Sequence, residues 1–320
     1  MCRESCLYPF ILRRGVKAGL LLRNVKKELE VFLQQLLNGL SCGGVYALMA
    51  VGFGLIYNVL KFSNFSHGGV MLIGCYTAYF AFKIFHSSLF LTLSFGAISG
   101  GLCAVIFEKL AIIPLRKRNA PKIYFFVNSI NGGLLSEYLI VATVGVFFHT
   151  FPDFLGTTNI NIGQISFSKL NLTMLIISLI TLFGLMWYLY KTKSGRAIRA
   201  VACDINTASL MGVDVNRVIS LTFFVSGLLG GLCGVFLGIN YTIYPQLGKL
   251  IVKGWMASVI GGLGSLSGPV VGGILLGVLE TFLTAYMGSS FTPILEFIIL
   301  LMFLLIRPQG IAGVIVEEKA

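Results

Sequence analysis

Residues 194–216 read SGRAIRAVACDINTASLMGVDVN, a polar stretch of 23 residues between the apolar runs 172–190 and 218–241, in a chain that is 56% hydrophobic. From Gly195 onward, Ala197, Ile198, Val201, Ala202, Ile205, Ala208 and Leu210–Met211 recur at helical spacing, with Arg196, Arg199, Asp204 and Asn206 between them. The pattern predicts two short helices, the second capped by Gly212 just before Val213-Asp214. A short amphipathic piece either lies on a bilayer surface or docks into a protein groove. Its mixed charge and small residues favour the groove.

The flanking runs decide the class. Mean hydropathy is +0.90, and charged residues make up 11%, against about 25% in soluble domains. Apolar runs occupy residues 31–60, 66–85, 88–113, 124–148, 172–190, 218–241, 255–286 and 291–306. Most match the roughly 17–25 residues that cross a bilayer as a helix. Lipid offers no hydrogen bonds, so each must be a helix or part of a closed barrel. No run alternates with period 2, so the expected fold is an all-α polytopic membrane protein of about eight spans. Residues 1–30 read as a basic arm, 31–313 as one transmembrane unit and 314–320 as a tail.

The net charge of +12 would suggest nucleic acid in a soluble protein. Here it follows the accumulation of Lys and Arg on the cytoplasmic side of membrane proteins, and no nucleic-acid partner is expected. The loop 114–122 carries Arg116, Lys117, Arg118 and Lys122, and the stretch 191–199 carries Lys191, Lys193, Arg196 and Arg199. Both loops are therefore read as cytoplasmic. The arm holds seven Lys/Arg, and its apolar stretch 19–22 is too short for a signal-peptide core. Seven scattered cysteines form no CxxC pair, which indicates neither disulfides nor zinc; they read as small packing residues.

Two regions interrupt the helical pattern. A half-length run at 255–263 ends in GGLGSLSGP (261–269), whose glycines and proline do not continue a helix. In the first half, Gly39–Gly44 divides the run 31–60, and NFSHGG (64–69) follows it. Broken segments in corresponding halves point to inverted repeats around a transport site, with Asn64, His67, Gly261 and Gly264 as pathway candidates. Three spans before Arg116 leave the arm outside; splitting 31–60 into two crossings brings it inside.

Few polar groups sit at membrane depth. An acid there costs roughly 3 kcal/mol or more, so it faces a partner or water. Glu137, Glu280 and Glu296 fit pathway lining or helix-to-helix bonds better than a proton relay. Asn131 shares a face with Asn128, and Glu137 falls off that face. His67 reads as capping or orienting backbone rather than as an acid–base catalyst. Gly227, Gly231, Gly234 and Gly238 share one helix face; such a stripe brings two helices together, within one subunit or at a dimer seam. There is no GxxxxGK[ST], HExxH, GxSxG or repeated metal-ligand spacing. The chain is thus expected to be no enzyme, with no catalytic residues, metal or cofactor.

The stretches LLNGLSCGGVYALMAVGFGLIYNVLKFSNFSHG (36–68), GRAIRAVACDINTASLMGVDVNRVISLTF (195–223), VIGGLGSLSGPVVGGILLGVLE (259–280) and RPQGIAG (307–313) resemble the permease subunits of bacterial ABC importers for branched-chain amino acids. The resemblance runs from about residue 33 to 313. It implies two separate ATPase subunits, a second permease (homologous or identical), a periplasmic or lipoprotein substrate-binding protein, and a bacterial inner membrane. It places coupling to the ATPase on Gly195, Arg196, Arg199, Asp204, Ala208 and Gly212. Ala208-x-x-x-Gly212 matches the core of the importer EAA loop, with Asn206-Thr207 where Glu-Ala would stand. Glu137 departs from the family by standing where an uncharged polar residue is expected. Leucine, isoleucine and valine are the implied cargo, with other amino acids or urea behind them. An ion-driven transporter working through Glu137 and Glu280 is the competing class.

Overall fold

Helices pair all but their terminal backbone groups internally, and they make up most of the described residues. A computed structural model describes residues 8–86, 88–152, 154, 159–162, 165–265 and 267–313. Helix α1 (Tyr8–Leu60) is followed by α2 (Ser66–Phe85) and α3 (Leu89–Phe107), which passes through a π turn (Glu108–Ile112) into α4 (Ile113–Lys117). Then come α5 (Lys122–Val144), the antiparallel hairpin β1 (Asn159–Ile162) and β2 (Ile165–Ser168), and α6 (Lys169–Lys191). The short α7 (Lys193–Cys203) and α8 (Ile205–Leu210) lead into α9 (Val215–Asn240). A 3₁₀ turn (Pro245–Leu250), α10 (Ile251–Gly261), α11 (Gly268–Met287) and α12 (Thr292–Ile306) complete the described chain. Among the described residues, seven helices are long and apolar enough to cross a membrane; α12, at 15 residues, is a shorter apolar helix. The tail 314–320 and residues 1–7 of the arm lie outside the described residues.

One expected break is absent. Helix α1 runs unbroken through Gly39–Gly44, so residues 31–60 cross once, not twice. The glycines serve close approach instead. A Cβ on Gly39 would lie 2.8 Å from the Val278 backbone, one on Gly43 2.9 Å from Ile274, and one on Gly277 would run into the backbone of Gly43. Glycine weakens a helix by about 1 kcal/mol in water. In lipid the alternative is an unsatisfied backbone, so the helix persists and the missing side chains let α1 and α11 touch. Three spans therefore separate residue 28 from Arg116, and residues 8–30 continue the first span as helix.

The same device joins α3 to α9. Gly227 and Gly231 lie against Gly100 and Gly96, Gly234 against the Met71 backbone, and Gly238 against Cys75. All four glycines of the α9 stripe are buried within this one subunit. Helices α1 and α9 form the centre; α5, α6 and α12 turn large apolar side chains outward, Phe183 and Leu305 among them.

The other breaks are real, but the first lies at 61–65 rather than 64–69, since Ser66–Gly69 already belong to α2. Lys61 leaves α1 in the left-handed region, and residues 61–65 cross to α2 without helix. Between α10 and α11 the chain turns through Gly262 and Gly264, both at positive φ, and Asn58 of α1 donates to the Ser265 carbonyl at 3.2 Å. The last carbonyls of α10 are covered from a distant segment: Ile311 N–H donates to Ile260 and Ala312 N–H to Gly261, both at 2.9 Å.

Candidate functional site

On the face carrying Arg116, α7 and α8 form a small platform. Thr192 caps α7, its hydroxyl donating to the Tyr188 carbonyl at 2.7 Å and accepting from Gly195 N–H at 3.0 Å. A Cβ on Gly195 would collide with the carbonyls of Tyr188 and Leu189, so glycine sets the sharp corner between α6 and α7. Ile198, Val201 and Ala208 point inward and are buried. Asp204 caps α8 by accepting from Asn206 N–H and the Thr207 hydroxyl. The Thr207 bond first, then the Asn206 amide, hold this carboxyl below the usual carboxylate range.

Helix α8 ends in a Schellman turn. Val213 N–H donates to the Ala208 carbonyl and Gly212 N–H to Ser209, with Gly212 at φ 82°. The turn holds Leu210 and Met211 outward, 88% and 81% exposed. Arg196 is exposed beside this platform, whereas the Arg199 guanidinium lies 4.9 Å above the Tyr190 ring. Of the six residues proposed for coupling, Arg196 and Gly212 reach the surface freely, Gly195 and Ala208 build the platform, Arg199 packs on it and Asp204 caps it.

Behind the first break, Asn64 and His67 are buried. Asn64 accepts from the Ser66 hydroxyl at 2.7 Å, and Phe65 N–H donates to Ser129 of α5. The His67 ring fills the space left by Gly52 of α1 and Gly230 of α9, with Nδ1 3.3 Å from the Ser226 hydroxyl. Ser226 in turn donates to the Gly52 carbonyl at 2.7 Å. His67 thus locks α1, α2 and α9 together beside the break. Glu137 stands near it, paired with Lys249 at 3.2 Å, in a cavity of about 320 Å³ between α2, α5 and α10. Asn131 faces a different cavity, between α3 and α5. Gly261 and Gly264 belong to the second break, at the far end of α10.

A sequence model described as "Branched-chain amino acid transport system / permease component" matches residues 35–307, and these include both breaks and the platform. The chain belongs to this permease family. It is 31% identical over 310 residues to the high-affinity branched-chain amino acid transport system permease protein BraD of Pseudomonas aeruginosa, covering 89% of this chain and 97% of the relative. It is 29% identical over 306 residues to LivH of Escherichia coli K12, covering 90% and 98%. The probable branched-chain amino acid transport permease LivH of Methanocaldococcus jannaschii is 30% identical over 282 residues, covering 83% and 88%. No solved structure matches the chain.

The permease also holds charges that no sequence motif singles out, Lys253 and Glu108. Lys253 of α10 pairs with Glu280 of α11 at 2.5 Å and lies 3.9 Å from the buried Glu296 of α12. Tyr46 and Tyr241 share a hydrogen bond next to it. Glu108, in the π turn, is fully buried and accepts from the Ser220 hydroxyl of α9. Lys249 and Lys253 precede the apolar run 255–263; α10 begins at Ile251, after the 3₁₀ turn. Their i, i+4 spacing next to an apolar half-helix was the available signal. Glu137 and Glu280 each hold a lysine and line separate cavities, an arrangement unlike a single proton relay.

Proposed function

We propose that this permease is the membrane subunit of an ABC importer that carries branched-chain amino acids inward across the bacterial inner membrane. Separate ATPase subunits grip the α7–α8 platform from the cytoplasm. A second permease completes the pathway, and an external binding protein delivers cargo. The observation that carries this reading is the outward pair Leu210 and Met211, with the exposed Arg196, on a platform fixed by two caps and a Schellman turn. Two large apolar side chains on a polar surface mark a place where another protein sits. The names of the relatives support the cargo.

The platform is joined to the core by packing. Helix α7 rests on α1, α6 and α9, and the link from α8 to α9 is only residues 211–214. Closure of the ATPases on nucleotide would move the platform and, through α9, the Ser226–His67–Gly52 contact beside the first break. The permease then alternates between two states, each stabilised by its own partner: the binding protein outside, nucleotide-bound ATPase inside.

The test is co-purification with the ATPase subunits and uptake of labelled leucine in proteoliposomes. Leu210→Asp with Met211→Asp is expected to abolish ATPase capture while the permease still inserts. Capture and uptake at the wild-type level would overturn the reading.

A further inference from the structure

We infer that the cavity between α2, α5 and the start of α10 recognises one zwitterionic α-amino acid with an aliphatic side chain, its ammonium on Glu137 and its carboxylate on Lys249. This rests on the import function proposed above and names a cargo site within it.

Two observations converge on this cavity. First, it contains one carboxylate and one ammonium 3.2 Å apart, and the Glu137 side chain is only 12% exposed. An inserted zwitterion adds no net charge and replaces one ion pair with two, so the mostly buried Glu137 keeps a cation beside it while Lys249, 62% exposed, turns to the carboxylate. Second, the remaining wall is aromatic and aliphatic, built from Phe65, Leu72, Phe126, Ile130, Leu134 and Val252. Its volume of about 320 Å³ lies at the small end of ligand pockets, roughly 300–1,000 Å³, which suits a single amino acid.

Glycines shape the floor. Gly68 and Gly248 meet backbone to backbone, and a Cβ on Gly69 would strike Ser136. The cavity therefore lies between the start of α2, beside the non-helical residues 61–65, and the 3₁₀ turn that leads into α10. The competing reading is a static latch, in which Glu137–Lys249 merely ties α5 to α10.

Equilibrium binding of labelled leucine to the purified permease–ATPase complex, without binding protein, separates the two. Competitors are 4-methyl-2-oxopentanoate, which lacks the ammonium, and 3-methylbutylamine, which lacks the carboxylate. Wild-type protein is expected to prefer leucine to either by about tenfold or more. Glu137→Gln should weaken leucine by about tenfold and erase its advantage over the oxo acid. Lys249→Met should erase its advantage over the amine. The exchange Glu137→Lys with Lys249→Glu restores an ion pair but reverses its sense, and leucine should stay weak. Wild-type leucine affinity in both single variants, its recovery in the exchange, or no saturable leucine binding by wild type at millimolar concentration would each overturn the site. ATPase capture in the same preparations keeps the outcomes apart: capture without the binding pattern removes only the site, and loss of capture by wild type removes the import reading.

Discussion

The backbone N–H of Ile311 donates to the carbonyl of Ile260 at 2.9 Å, joining the chain after the last helix to the broken end of α10. With Ala312 on Gly261, it satisfies carbonyls that a helix ending at membrane depth would leave bare. Gly310 makes this possible: its φ is 79°, and a Cβ there would press into Gly262. Gly310→Val should therefore free the 307–313 segment and lower stability by about 1–2 kcal/mol from the left-handed backbone alone, with the steric clash in addition. Thermal unfolding of the purified permease measures this. An unchanged midpoint would show that the segment does not hold the break.

Gly212 poses a cleaner question, because a Cβ there meets nothing within 4 Å and only its φ of 82° matters. Asn tolerates that conformation and Val does not. Gly212→Asn should keep leucine uptake near wild type, and Gly212→Val should lose most of it while membrane insertion is unaffected. Equal uptake by the two variants would mean that the Schellman turn does not set the position of Leu210 and Met211.

The α1–α11 seam is tested by adding volume. Gly277 faces the backbone of Gly43, and any larger side chain must push the helices apart. Gly277→Leu is expected to cost about 1–3 kcal/mol or more as overpacking, read as a lower melting temperature and yield. A variant that melts like wild type would argue that α1 and α11 can separate freely.

What the sequence could show and what it could not divides along one physical line. Local periodicity was enough for α7, α8 and the Gly212 turn, because a helix face and a left-handed glycine are properties of a few adjacent residues. The continuity of α1 was not legible. Gly39 and Gly43 carry the same local signal whether they end a helix or admit a neighbour, and only α11 decides between these. Pairings such as Glu137 with Lys249 join residues far apart in the chain, and nothing near either residue announces the other. The separation of Asn131 from Glu137 was legible, since it follows from the turn angle of one helix.

Lys253 supplies the last test, since it stands between Glu280 and Glu296. Removing it leaves the buried Glu296 and the partly buried Glu280 without their cation, and breaking a buried pair from one side costs about 3–5 kcal/mol. Lys253→Met should therefore destabilise the permease strongly. Adding Glu280→Gln and Glu296→Gln removes the stranded charges and should recover most of the lost stability, since a neutral replacement of a buried ion pair is often tolerated. Thermal unfolding of the two variants, compared with wild type, distinguishes these cases. If the triple variant unfolds no later than Lys253→Met, charge compensation is not what this cluster provides. The α10–α11–α12 contact would then rest on packing around Leu276 and Leu300, both buried there.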